Sequence, residues 1–316
     1  MSRVLVFRDL PPDQLARLHA VHSVTVADPR KPEQRAAYDA ALAEAEGLIG
    51  SSFKIDIAQA VRLKVVSSIS VGVDNYDLAA LKARGILLCH TPGVLTETTA
   101  DTIFALIMAS SRRLAELAQH VREGRWDKNI GEELFGWDVH GKTLGILGFG
   151  RIGQALARRA ALGFGMPVRY YSRRPVDLPG LEGKALHGSL DEVLAGSDII
   201  ALTLPLSDDT RGLIGAREFA LMRPGAIFVN GARGAIVQED ALLAALDSGH
   251  LRAAGLDVFA TEPLPLDSPL RSHPRLTPLP HIGSATHETR HRMAVLATDN
   301  LLAALDGRKP PAAYAL

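Results

Sequence analysis

The sequence predicts an α/β protein of two doubly wound parallel-sheet domains with a cleft between them. Three observations carry that prediction. Apolar runs of strand length alternate with helical periodicity from end to end, the pattern of βαβ units. The runs fall into two series, one before residue 90 and one after residue 142. Only the second series opens on a glycine cluster, so a sheet of its own starts near mid-chain.

In the first series, residues 4–7, 24–26, 47–49, 63–67 and 86–89 read as strands, separated by helical stretches such as 32–45 and 78–84. Residues 96–122 read as one long helix. Thr98 and Asp101 supply cap-like residues and early negative charge, and residues 103–108 supply an apolar face. The second series runs through strands at 143–147, 168–171, 199–204, 226–230, 253–258 and 276–279. A final helix over 287–306 carries Met293, Leu296, Leu301 and Leu305, and Pro310-Pro311 is expected to end it. Because the glycine cluster should open its own sheet, the predicted division is 1–98 with 286–316 as substrate (catalytic) domain and 99–285 as cofactor domain.

Length and composition fit this picture. A chain of 316 residues, 47% hydrophobic and 22% charged, suits about two globular domains. Thirty-five basic and 35 acidic residues leave no net charge, so no global field recruits nucleic acid or an anionic membrane. The single cysteine, Cys89, excludes an internal disulfide and sits in an apolar stretch, where it reads as a small buried hydrophobe. No apolar run approaches the ~18 residues of a membrane span, and the amino terminus runs straight into a strand pattern. A cytoplasmic location is the expectation, with no metal.

The glycine cluster is Gly148-Phe149-Gly150-Arg151-Ile152-Gly153. A lone GxGxxG is a weak signal, but here a strand pattern precedes it and residues 154–159 read as helix. In that context it predicts a Rossmann-type dinucleotide site. Gly148 turns the chain out of the strand, Gly150 lets backbone approach a pyrophosphate, and Gly153 lets helix pack on strand. The helix start at Arg151 and Ile152 presents free N–H groups to the anion.

About 20 residues further on, NAD sites carry an acidic residue for the adenosine ribose. This chain has Ser172-Arg173-Arg174 there. A carboxylate would repel a 2′-phosphate, whereas two guanidinium groups attract it, so NADPH/NADP+ is expected, with NADH a weaker alternative. An ordinary solvated turn is the plainer reading of a basic pair; its position after the second strand argues against that.

Three later segments end strand-like runs in polar residues, where ligands bind in open α/β sheets. They are Asn230-Gly231-Ala232-Arg233-Gly234, Gly255-Leu256-Asp257-Val258-Phe259 followed by Glu262-Pro263, and Pro280-His281-Ile282-Gly283. Singly, Arg233 could be a surface ion pair, Glu262 a loop carboxylate and His281 one of 11 histidines. Together with the fingerprint, their order resembles the D-isomer-specific 2-hydroxyacid dehydrogenase family over essentially the whole chain. Within it, residues 70–75, 90–98 and 281–290 resemble the bacterial glyoxylate/hydroxypyruvate reductases that also act on 2-ketogluconate.

The resemblance implies NADPH-dependent reduction of small 2-oxo acids to D-2-hydroxy acids. Such a reaction needs a hydride donor, an acid for the developing alkoxide and a cation for the carboxylate. Of the three side chains only His281 exchanges a proton near neutral pH, so it is the expected general acid in reduction. Glu262 would orient the imidazole and favour its protonated form, and Arg233 would hold the substrate carboxylate and carbonyl oxygen. Reduction should weaken as pH rises and His281 loses its proton.

The family pattern further implies that the Val71 and Gly72 N–H groups clamp the substrate carboxylate; by turn rules alone a plain glycine turn reads equally well. It gives Asp257 the nicotinamide carboxamide, lines the cofactor groove with Leu204, Pro205 and Thr210, and places Ala232, His281 and Gly283 beside the cofactor. A homodimer through the 96–122 helix and its following loop is likewise implied. Alternatives remain open. Formate dehydrogenases of the superfamily carry a glutamine where this chain has Glu262. Phosphoglycerate dehydrogenase activity is possible, though the chain lacks room for an added regulatory domain. A cofactor-sensing corepressor or scaffold could keep the same Arg, Glu and His.

Overall fold

The computed structural model describes residues 1–51 and 53–316. The chain begins with β1 (Arg3–Val6), α1 (Pro12–His19), β2 (Ser23–Val26), α2 (Arg35–Glu44), β3 (Gly47–Gly50), β4 (Val65–Ser68), α3 (Leu78–Ala83) and β5 (Leu87–Cys89). It continues through α4 (Thr96–Arg112), α5 (Leu114–Arg122), β6 (Leu144–Leu147), α6 (Arg151–Arg158), β7 (Val168–Tyr171), β8 (Ala185–His187) and α7 (Leu190–Ala195). Then come β9 (Ile199–Leu202), α8 (Ala216–Leu221), β10 (Ala226–Asn230), α9 (Glu239–Asp247), β11 (Leu251–Leu256), β12 (Leu276–Pro278) and α10 (His287–Leu305). These form two compact units, Met1–Leu95 with Thr286–Leu316, and Thr96–Ala285. The dividing point falls at the first residue of α4, whereas the sequence reading places it at 98, inside that helix.

The first unit is a parallel sheet in the order β2-β1-β3-β4-β5. Its inner strands β3 and β4 are buried at every residue, as strands covered on both faces must be. The returning helix α10 covers this sheet. Its Leu301 lies so close to Gly47 that a Cβ there would stand 2.9 Å from the Leu301 Cδ1, and the buried Ser67 hydroxyl donates to the Ala297 carbonyl at 2.7 Å. Past α10 the carboxy-terminal segment pairs with the sheet edge: Cys89 and Ala313 form an antiparallel bridge, and the Tyr314 N–H donates to the Leu88 carbonyl at 2.7 Å. That covers an edge strand that would otherwise present unpaired backbone.

The second unit is a seven-stranded parallel sheet in the order β12-β11-β10-β9-β6-β7-β8. The order reverses between β6 and β9, which makes their carboxyl ends the switch point where ligands bind in such sheets. Separate apolar cores lie on its two faces, one around Ile146, Leu156 and Ile227, the other around Leu202, Phe228 and Leu246. No helix among the described residues is long and apolar enough to cross a membrane.

Several elements differ from the sequence reading. The helix expected over 96–122 is two helices, because Arg113 adopts a left-handed backbone (φ 53°). Its guanidinium holds the bend by donating to Glu116 and to the Glu133 carbonyl. Helix α4 begins at Thr96, so Thr98 and Asp101 lie inside it, and Asp101 joins Glu97 in pairing with Arg159. The segment 32–45 is a 3₁₀ turn followed by α2. Strand β8 went unread because it is a three-residue edge strand with exposed residues. Helix α10 stops at Leu305 and turns at Gly307 (φ 73°), before Pro310-Pro311 is reached. Cys89 is fully buried, and burial pushes its thiol up to about 12, in keeping with a packing role.

Candidate active site

The glycine fingerprint joins β6 to α6 at the switch point. Gly148 has φ 101°, and a Cβ on it would stand 2.6 Å from the Leu204 N, so the turn runs directly against the chain leaving β9. A Cβ on Gly153 would stand 2.3 Å from the Gly148 carbonyl oxygen, which fixes how closely α6 approaches the strand. Gly150 is the N-cap of α6 with no capping side chain, and a Cβ there would meet nothing within 4 Å. The helix start therefore faces open space with its first N–H groups uncapped, behind an exposed Arg151 and a half-buried Ile152. This cradle fits a pyrophosphate.

At the end of β7 the Ser172 hydroxyl donates to the Arg174 carbonyl, and the His187 Nε2 lies 2.9 Å from the Ser172 carbonyl oxygen. Arg173 and Arg174 are exposed, and neither pairs with a carboxylate among the described residues. After β9, Leu204 and Pro205 lead into a loop closed on Thr210. The Thr210 hydroxyl donates to the Pro205 carbonyl at 2.7 Å and accepts the Ser207 N–H at 2.8 Å.

Arg233, Glu262 and His281 are brought together at the ends of β10, β11 and β12. Asn230, buried at the end of β10, accepts the Ala232 N–H and donates to the Arg233 carbonyl, both at 3.0 Å, and so shapes the loop that carries Arg233. The next residue, Gly234, lies against the Phe259–Ala260 backbone; a Cβ there would stand 1.8 Å from the Phe259 carbonyl carbon. The Phe259 N–H in turn donates to Glu262 Oε1 at 3.0 Å. Glu262 Oε2 lies 2.7 Å from His281 Nδ1. Because an ionised carboxylate only accepts, that ring nitrogen carries a hydrogen, and Nε2 is the nitrogen left for another partner.

Burial alone would raise the Glu262 carboxyl. The hydrogen bonds from His281 and the Phe259 N–H, with the charges of His281 and Arg233, outweigh it and hold the group below the ordinary carboxylate range. Asp257, at the end of β11, is 2% exposed, and its two oxygens accept the Ile282 and Gly283 N–H groups at 2.7 and 2.8 Å. Burial pushes its carboxyl up while those two bonds pull the other way. In the first unit, Val71 and Gly72 follow β4 in a half-buried loop.

Comparison with known proteins identifies the family. Residues 104–283 match the family model described as D-isomer specific 2-hydroxyacid dehydrogenase, NAD binding domain. The glyoxylate/hydroxypyruvate reductase B of Klebsiella pneumoniae is 51% identical over 307 residues, covering 96% of this chain and 95% of the relative. The chain belongs to the D-isomer specific 2-hydroxyacid dehydrogenase family. Among solved structures, a Thermus thermophilus protein superposes with a TM-score of 0.91 at 45% identity, covering 99% of this chain and all of the other. An NADPH-dependent glyoxylate/hydroxypyruvate reductase from Sinorhizobium meliloti, crystallised with NADP and malonate, has a TM-score of 0.89 at 31% identity, covering 99% and 97%.

Two side chains of this oxidoreductase shape the site without a role assigned from sequence. Thr203, directly after β9, donates its hydroxyl to the Gly148 carbonyl and so holds the fingerprint turn. Asn230 had its signal in the Asn-x-x-Arg spacing. Thr203 had none, since its role depends on β9 lying beside β6.

Proposed function

We propose that this dehydrogenase reduces small 2-oxo acids, glyoxylate and hydroxypyruvate foremost and 2-ketogluconate within its range, to D-2-hydroxy acids with NADPH. The observation that carries this reading is the His281–Glu262 pair beside Arg233, on the same sheet as the fingerprint. Bound NADPH supplies a hydride. His281 delivers a proton from Nε2 to the developing alkoxide while Glu262 keeps Nδ1 protonated and the ring fixed. Arg233 holds the carboxylate and polarises the carbonyl as a cation that cannot lose its own proton. Val71 and Gly72 add backbone N–H donors to the carboxylate.

Gly148, Gly150, Arg151, Ile152 and Gly153 would hold the pyrophosphate, with Leu204, Pro205, Thr210, Ala232 and Gly283 along the groove. Arg173 and Arg174, exposed and without carboxylate partners among the described residues, favour the 2′-phosphate of NADPH over NADH. Asp257 keeps the proposed carboxamide role through its remaining lone pairs, beside its hold on the His281 loop.

A homodimer in the cytoplasm completes the reading. Leu114, Val121, Trp126, Ile130, Phe135 and Trp137, all within one stretch after α4, are exposed and offer an apolar surface for a second copy. Protein mixed with NADPH and glyoxylate should oxidise the nicotinamide, followed by the loss of the reduced cofactor's absorbance. Failure with every 2-oxo acid tried would favour a cofactor-sensing binding protein on the same fold.

A further inference from the structure

The loop that carries Val71 and Gly72 is fastened to the segment after β5 by two carbonyl groups. The Ser70 carbonyl accepts the Thr91 N–H at 2.9 Å, and the Val71 carbonyl lies 3.1 Å from the His90 Nδ1. A carbonyl oxygen only accepts, so His90 carries its hydrogen on Nδ1. In a trans peptide the C=O and the following N–H point in opposite directions. The Ser70 carbonyl shares its peptide plane with the Val71 N–H, and the Val71 carbonyl shares its plane with the Gly72 N–H. Holding both carbonyls against residues 90 and 91 therefore turns both N–H groups the other way, side by side. Neither donates to another described residue.

His90 is itself held by the carboxy-terminal segment. Its N–H donates to the Ala312 carbonyl at 3.1 Å, and its ring meets Tyr314 edge-on, with centroids 5.3 Å apart and planes at 86°. Buried Asn300 on α10 ties the two together, donating to the His90 carbonyl at 3.0 Å and accepting the Ala312 N–H at 2.8 Å. The edge-covering tail, the last helix and the Val71–Gly72 loop thus meet at one residue, the helix and Ala312 on its backbone, Tyr314 and the loop on its ring.

We propose that His90 is a positioning residue for substrate binding: fixed by Asn300 and Tyr314, its Nδ1–H orients the Val71–Gly72 peptide so that two parallel N–H groups receive the substrate carboxylate. This rests on the 2-oxo acid reading above. It acts on binding rather than on proton transfer, so it should appear in KM and not in kcat.

Two variants separate this role from simple packing. His90→Phe keeps the ring against Tyr314 and deletes the donor; His90→Asn loses the ring and keeps an N–H near the Nδ1 position. The proposal expects His90→Phe to raise KM for glyoxylate about tenfold or more, with kcat changed less than about threefold and the dissociation constant for NADPH unchanged. His90→Asn should restore much of the lost KM. The inhibition constant of oxamate, a carboxylate analogue of the substrate, should follow KM in both.

The reverse order, with Phe near wild type and Asn impaired, assigns His90 to packing and overturns the proposal, as does a fall in kcat at constant KM. Thermal melting checks folding, and should the Phe variant not fold, His90→Leu removes the same donor with less bulk. Wild type that reduces no 2-oxo acid overturns the functional reading as well, a result distinct from an active wild type matched by His90→Phe.

Discussion

The His281 Nδ1 and the Glu262 Oε2 stand 2.7 Å apart, and His281 reaches this contact from a left-handed backbone with φ 55°. For a residue other than glycine that conformation costs roughly 1–2 kcal/mol. The Asp257 carboxylate offsets it by gripping the next two N–H groups, those of Ile282 and Gly283. The proposed proton donor is thus aimed by one carboxylate and its backbone is held by another.

Replacement of His281 by Ala should lower kcat by about 10²–10⁴, the usual worth of general acid catalysis. NADPH affinity, read by nicotinamide fluorescence, should change little. Loss of cofactor binding at constant fold would assign His281 to structure instead.

Asp257→Asn should cost roughly 1–3 kcal/mol of stability, because one buried N–H loses its acceptor. It should also reduce kcat, since the His281 backbone is released. Urea denaturation and turnover measured on the same preparation test both; a variant as stable as wild type contradicts the grip.

The Glu262 carboxyl is held below its ordinary value in the folded protein. A group depressed in this way adds stability above its unfolded value, about 4.3 for glutamate, and loses that contribution as pH falls through the folded value. Melting temperature should therefore fall more steeply on acidification below about pH 4.3 in wild type than in Glu262→Gln. Parallel curves would show that the pair contributes nothing to acid stability.

Exchanging Arg173 and Arg174 together for neutral residues should raise KM for NADPH by about tenfold or more and leave KM for NADH within about twofold. Equal changes for the two cofactors would remove the 2′-phosphate assignment.

At Gly153 an alanine Cβ would stand 2.3 Å from the Gly148 carbonyl oxygen, so strand and helix must move apart. Gly153→Ala should destabilise by about 1–3 kcal/mol and weaken binding of both NADPH and NADH. A calorimetric titration with each cofactor checks it. Unaltered binding would mean the spacing between β6 and α6 is not what forms the cradle.

Much of this molecule was legible from the chain alone. Strands of a parallel sheet are short apolar runs, so β1 to β7 and β9 to β12 announced themselves, even the mostly exposed edge strand β2 through Val24 and Val26. The fingerprint glycines and the spaced Arg233, Glu262 and His281 were visible because chemistry restricts which residue types can stand there. Edge strand β8 was not, since its exposed residues carry no pattern. Nor was the break at Arg113, where side-chain bonds to Glu116 and Glu133 decide a backbone angle that helical periodicity cannot express.

By itself the sequence determined the fold class, the dinucleotide fingerprint and which residues to propose as proton donor, its carboxylate and the cation, because each follows from residue type and local spacing. The tertiary structure alone decided how those groups are aimed. Thr203 holds the Gly148 turn only because β9 lies beside β6, and Asp257 grips the His281 loop across 25 residues of chain. His90 meets Tyr314 and Asn300 only because the chain returns to its first sheet. Orientation arises from contacts between distant segments, and no local pattern records which segments a parallel sheet will set side by side.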